Sequence, residues 1–234
     1  MTDQTHKIPD DVREFIQQHP QVVEIATDFI NREPKLELVA APLIRGYAVI
    51  TNCFNSGGKL FLCGNGGSFA DCLHISGEML KSFERRRALS DEDRQIFLNF
   101  RHGYQLADAI EYGFPAIVLG LNPSLKTAVE NDIRLPNLAF AQELFALGRK
   151  EDVLLGISTS GNAQNVSYAV STAKAIGMHT IGLTGKAGGE LAQQVDIALT
   201  VPATQTNRIQ EMHQLVYHTL CAMIEAHYFQ ESKK

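Results

Sequence analysis

Lys59-Leu60-Phe61-Leu62-Cys63-Gly64-Asn65-Gly66-Gly67-Ser68 runs a strand-length apolar segment straight into a glycine-rich turn, and a helical pattern follows over Ser68–Phe83. Val153-Leu154-Leu155-Gly156-Ile157-Ser158-Thr159-Ser160-Gly161-Asn162 repeats the arrangement, with a helix expected over Asn162–Ile176. Around these two units the alternation continues. Strand Ala116–Leu121, helix Ala128–Leu147, strand Thr180–Thr184, a short helix near Glu190, strand Ile197–Val201 and a last helix over Thr206–Phe229 complete it. Short, near-continuously apolar strands alternating with helices indicate a parallel sheet covered on both faces. An α/β fold is therefore expected, a three-layer α/β/α doubly wound sandwich.

Upstream, apolar residues at helical spacing predict two short helices within residues 10–33, interrupted at His19-Pro20, as an N-terminal helical extension over residues 1–35. A third helix, Leu36–Phe54, contains Pro42, which is expected to restart or kink it, and ends at Asn55-Ser56-Gly57-Gly58. Residues 84–114 interrupt the strand–helix alternation as a polar insertion, expected to be partly helical around 91–109. Connections this long tend to be functional or mobile.

At 234 residues, with 44% hydrophobic and 20% charged residues, the chain suits a soluble globular protein. No apolar run approaches the ~20 residues of a membrane span. Met1–Asp11 is polar and lacks the layout of a signal peptide, so a cytoplasmic setting is expected. A net charge of −5 argues against a nucleic-acid partner and fits small metabolites. Cys53, Cys63, Cys72 and Cys221 have no CxxC spacing and read as reduced core residues.

In a doubly wound fold the loops at the carboxyl ends of strands line the ligand crevice. Gly64–Ser68 and Ser158–Asn162 both fall there. Small residues let backbone N–H groups approach an anion, hydroxyls add donors, and a helix N-terminus contributes about 0.3 to 2 kcal/mol. Each loop alone also suits a plain turn; the pair together favours a phosphate. Neither matches a nucleotide-binding fingerprint.

Phe61–Ser68, Leu155–Asn162, Gly182-Leu183-Thr184-Gly185 with Gly188-Gly189, and Arg208-Ile209-Gln210-Glu211 resemble, in order, the motifs of the sugar isomerase (SIS) family. Within it they are most similar to those of the phosphoheptose isomerases. The resemblance runs from about residue 36 to 230, so residues 36–234 form the expected SIS domain. It implies a five-stranded parallel sheet, a homotetramer, and isomerisation of sedoheptulose 7-phosphate to D-glycero-D-manno-heptose 7-phosphate through a metal-stabilised enediol. Asn65, Gly66, Gly67, Ser68, Ser158, Thr159 and Ser160 match substrate and phosphate contacts of the family.

His74 and Glu78, at i and i+4, share one helix face, expected just above the first loop. The resemblance implies a Zn²⁺ site of His74, Glu78, Gln210 and His218, with Glu78 as base and His218 as proton shuttle. Eight residues place Gln210 and His218 about 12 Å apart along a helix, so on geometry His213 rivals His218, and four ligands imply stretched side chains or shared subunits. The resemblance favours His218.

Four positions depart from the family pattern: Ser82 replaces an Arg, Asn122 and Asn207 replace acidic substrate contacts, and Ala163 replaces a phosphate-loop Ser. Arg85, Arg86 and Arg87 are then the nearest cations to supply a lost phosphate contact, with the insertion expected to border the crevice; an exposed basic turn is the alternative. The last helix carries Ile209, Met212, Leu215, Val216, Leu220, Met223, Ile224 and Phe229, a stripe that a monomer is expected to leave partly wet. The competing functions are a non-catalytic sugar-phosphate-binding or replication-initiator-associating SIS protein, and an isomerase of another phosphosugar.

Overall fold

The computed structural model describes residues 8 and 10–229. Most of the polar start at Met1–Asp11 lies outside the described residues. The elements are α1 (Asp10–Ile16), α2 (Pro20–Arg32), α3 (Glu37–Asn55), β1 (Leu60–Gly64), α4 (Gly67–Leu80), α5 (Asp91–Gln95), α6 (Gly103–Ala109), β2 (Ala116–Val118), α7 (Pro123–Asp132), α8 (Ala139–Leu147), β3 (Val153–Ser158), α9 (Gln164–Ile176), β4 (His179–Thr184), α10 (Gly189–Gln194), β5 (Ile197–Thr200) and α11 (Thr206–Tyr228). The five strands are all parallel, in the order β2-β1-β3-β4-β5. From β1 the chain steps one way to β2 and later the other way to β3. The switch point therefore opens between the carboxyl ends of β1 and β3, where ligands bind in such sheets. No helix among the described residues is long and apolar enough to cross a membrane.

Side chains alternate across a strand, and the alternation feeds two cores. Leu60, Leu62, Val153, Leu155, Ile157, Ile181 and Leu183 face the layer of α1–α4 and α11. Phe61, Cys63 and Leu154 face Phe140, Leu144, Val166, Val170 and Leu191 of α8–α10. Val12, Ile16, Val22, Phe29 and Ile30 join the first core, so the N-terminal helices are packed onto the sheet layer. All four cysteines are buried and unpaired.

Several expectations are corrected. Pro42 neither ends nor restarts α3, which runs through it. The single helix read over Ala128–Leu147 is two, α7 and α8, because Pro136 cannot donate a helical hydrogen bond and Asn137 adopts a left-handed φ of 66°. The apolar stripe of α11 is already covered within one chain: Ile209, Val216, Leu220, Met223 and Ile224 are buried, and Met212, Leu215 and Phe229 pack against the same core. The insertion is a stem, where Ala88 pairs antiparallel with Glu111, carrying α5 and α6. Ser82 is part of that stem, its hydroxyl donating to Glu111 at 2.6 Å.

Candidate active site

Two groups of side chains flank α4, one at each end. At its start, Gly66 turns the chain at φ 55°, ψ −119°, a conformation open to glycine, and the helix has no side-chain N-cap. Ala163 leaves α9 equally uncapped. Both helix starts thus bring backbone N–H groups to the switch point, although Ser68 and Phe69 N–H already bond the Asn65 and Gly66 carbonyls (3.0 and 3.1 Å) and Val166 N–H the Asn165 side chain (3.0 Å). Ser68 and Ser158 are buried beside it. The Ser158 and Ser160 hydroxyls accept from the backbone N–H of Gly161 (3.1 Å) and Asn162 (3.2 Å), which fixes the second loop. Gly161, at φ 70°, lies so close to Gly188 that a Cβ there would meet its carbonyl at 2.0 Å, which is why the loop requires glycine. Thr159 accepts the Gly185 N–H through its carbonyl (3.2 Å).

Asn65 and Asn165 exchange amide hydrogen bonds of 2.9 and 2.8 Å across the crevice. Asn165 was missed in the sequence because its partner is a hundred residues away. Asn122 caps α7, accepting from Leu125 N–H at 3.0 Å, and Asn207 is exposed in the first turn of α11. The Gln210 amide lies over Gly67, where a Cβ would come within 2.1 Å of its Nε2.

Farther along α4 and α11, three groups converge. Glu78, only 8% exposed, has His74 Nε2 at 3.1 Å and His218 Nε2 at 3.2 Å from its Oε1, and His218 Nε2 makes no hydrogen bond there. Its Oε2 is buried without a hydrogen-bond partner. One ligand atom from each of the three residues lies within 4.8 Å of the others. Two imidazole nitrogens, a carboxylate oxygen and an orphaned buried oxygen are what a borderline divalent cation needs, so these residues fit a metal such as Zn²⁺. Burial, reinforced by His74, holds His218 below the usual histidine range against the pull of Glu78 and Glu84. Burial pushes the neighbouring Asp71 carboxyl up to about 6, although the nearby His74 and, less, the Tyr217 hydroxyl oppose this.

Three site expectations are overturned by this geometry. His74 and Glu78 do not sit just above the first loop: ten residues of helix separate Ser68 from Glu78, about 15 Å at ~1.5 Å per residue. His213 is no rival ligand, being fully buried toward Thr184, with burial pushing its pKa down to about 4. Arg87 is no phosphate ligand either. It is fully buried and its donors are spent on Glu225 (2.7 Å) and the carbonyls of Met79 (2.7 Å) and Glu78 (2.8 Å). Arg85 donates to Gln21 at 2.8 Å. The insertion borders the cluster only through its first residues: Phe83, Glu84 and Arg85 line a cavity of about 410 Å³ with His218. A second cavity of about 430 Å³ is lined by Leu73, His74, Glu78 and Ser82.

The SIS domain model matches residues 117–185. A phosphoheptose isomerase from Roseiflexus sp. (strain RS-1) is 40% identical over 192 residues, 82% of this chain and 85% of that protein. One from Dechloromonas aromatica (strain RCB) is 39% identical over 194 residues, 82% and 86% of the two chains. The solved phosphoheptose isomerase from Neisseria gonorrhoeae superposes with a TM-score of 0.65 at 33% identity, covering 84% of this chain and 93% of that one. That from Francisella tularensis gives 0.64 at 29%, covering 92% and 96%. With two-fifths of its aligned residues shared with such a relative along most of both lengths, and the same parallel sheet beneath them, the chain belongs to the phosphoheptose isomerase family of SIS-domain proteins.

Proposed function

We propose that this protein isomerises sedoheptulose 7-phosphate to D-glycero-D-manno-heptose 7-phosphate. The observation that carries the proposal is the buried Glu78 carboxylate, flanked by two imidazoles and left with one unpartnered oxygen. Aldose–ketose exchange moves a proton between C1 and C2 through an enediol and needs a base, a proton donor and stabilisation of the developing oxyanion. Glu78 takes the carbon-bound proton through its unpartnered Oε2 and returns it to the neighbouring carbon. His218, whose pKa burial lowers, moves a proton between the sugar's two oxygens. When bound by His74, Glu78, Gln210 and His218, a zinc ion supplies polarisation of those oxygens, worth several kcal/mol. Asn65, Gly66, Gly67, Ser68, Ser158, Thr159 and Ser160 hold the phosphate and chain, with Asn122 and Asn207 as further substrate contacts. A cytoplasmic setting belongs to the same proposal, supported by four free cysteines.

Purified protein should contain about one zinc per chain and convert sedoheptulose 7-phosphate, losing activity to a chelator and regaining it with Zn²⁺. Turnover of a different ketose phosphate in preference, or activity unaffected by metal removal, would redirect the assignment. His218→Ala should lower kcat by about a hundredfold or more. His213→Ala should leave kcat within severalfold and instead cost about 2 kcal/mol or more in stability, because it empties a core position. The opposite ranking, read from kinetics and thermal melts, would sink the assignment of His218.

Within one chain the Gln210 amide and His218 lie about 12 Å apart along α11, one at the loops and one at the Glu78 cluster. A complete site therefore calls for a second chain. Leu73 and Leu80, exposed on α4 around the cluster, provide an apolar surface for it. The proposed assembly is a homotetramer, which light scattering should report as about four times the 25.8 kDa chain; a monomer would contradict it.

A further inference from the structure

A buried tyrosine and a half-buried aspartate beside the Glu78 cluster have no task in the proposed reaction. Tyr217 lies on α11 next to His218, with its hydroxyl 3.0 Å from His74 Nδ1. Its ring meets both imidazoles edge-on, with centroids 5.5 Å from His74 and 4.8 Å from His218. Asp71, one turn before His74 on α4, is a further polar neighbour of Tyr217, beside Glu78 and Cys221, and its Oδ2 is buried without a hydrogen-bond partner.

A neutral imidazole carries one N–H, and the partner of one nitrogen decides which nitrogen bears it. His74 Nε2 points at Glu78 Oε1. With the hydrogen on Nε2, His74 is a donor to Glu78 and has no lone pair for a cation. With the hydrogen on Nδ1, the Nε2 lone pair is free to bind one. A phenol hydroxyl donates one hydrogen and accepts another, whereas a carboxylate only accepts. A hydroxyl between Asp71 and His74 is therefore oriented: its hydrogen goes to the carboxylate and its lone pair to the ring.

We infer that Asp71 and Tyr217 form a positioning relay, in which His74 Nδ1–H donates to the Tyr217 oxygen and Tyr217 O–H donates to Asp71, so that His74 presents its Nε2 lone pair to a divalent cation. The relay rests on the metal-binding function proposed above for His74. It has the form of the outer-shell carboxylate contacts that orient metal-binding histidines, with a phenol inserted between the two groups.

Chelator-stripped protein labelled with ¹⁵N-histidine gives a readout independent of both metal and activity. Its long-range ¹H–¹⁵N spectrum should show His74, assigned by loss of its signals in His74→Gln, as the Nδ1–H tautomer. Tyr217→Phe, which keeps the ring, should shift His74 toward Nε2–H and weaken Zn²⁺ binding about 10- to 100-fold against a chromogenic chelator. Asp71→Asn, which keeps the phenol, should move both readouts the same way by a smaller amount. An Nε2–H tautomer in the parent protein, or a tautomer unchanged in Tyr217→Phe, overturns the relay. An unchanged tautomer in Asp71→Asn removes Asp71 from it. If no protein binds Zn²⁺ the metal proposal fails on its own, and the tautomer comparison still decides the relay.

Discussion

Glu78→Gln should reduce kcat for the sugar phosphate by about 10³-fold while leaving a folded protein. The amide nearly matches the carboxylate in size and can still meet an imidazole, so the packing of a side chain that is 8% exposed is kept. What disappears is the basicity. A positioned general base contributes about 10² to 10⁴ in rate, and Glu78 is the only carboxylate of the described residues lying within ion-pair distance of both His74 and His218. Exchange of solvent deuterium into C1 and C2 isolates the proton-abstraction step and should fall in parallel with kcat. Retention of a tenth or more of the parent exchange rate would remove Glu78 from the role of base. Zinc content measured on the same sample separates loss of the base from loss of the metal.

The largest stability effect is expected at Glu225, a fully buried residue of α11. Its carboxylate accepts the backbone N–H groups of Phe83 (2.9 Å), Glu84 (2.8 Å) and Arg85 (2.8 Å) as well as Arg87 Nε (2.7 Å). Arg87 in turn caps the end of α4 through the carbonyls of Glu78 and Met79, and its guanidinium lies 4.8 Å from the centroid of the Phe114 ring. Both side chains are completely out of solvent, so surface screening does not weaken the pair. Glu225→Ala strands a buried cation and three amide donors. Removing one partner of such a pair costs about 3 to 5 kcal/mol, or roughly 6 to 20 °C of Tm at the ~2 to 4 °C per kcal/mol of a chain this size. Arg87→Met combined with Glu225→Leu should be less damaging than the sum of the single changes, because neither charge is left alone. A Tm drop below about 2 °C in Glu225→Ala would show that the pair is dispensable.

The same pair explains why the arginine cluster was misread. Glu84-Arg85-Arg86-Arg87 has the composition of an exposed basic turn or an anion site, yet Arg87 is held inside by a carboxylate 138 residues away. A partner so distant leaves no periodic trace near the arginine.

The strand–helix alternation, the two loops and the spacing of His74 and Glu78 were legible from residue order because each depends on interactions within a few positions. Apolar period, glycine turns and an i, i+4 helix face are set by local backbone geometry. For the same reason, β3 was read with its observed bounds. The break between α7 and α8 was also local, signalled by Pro136-Asn137 and overlooked under a continuous apolar pattern.

Other features were decided only by packing. The order β2-β1-β3-β4-β5 brings Asn65 to Asn165 and puts both loops at one crevice. The parallel descent of α4 and α11 sets Gln210 against Gly67 and, seven residues further along each helix, Tyr217 against His74. That alignment divides the candidate site into a loop end and a carboxylate end, buries His213 and covers the apolar stripe of α11. Helical spacing determines which residues share a face, but which face meets which neighbour depends on burying two apolar surfaces at once. That choice is made between segments far apart in the chain, by the sheet order and the packing of the helices on it.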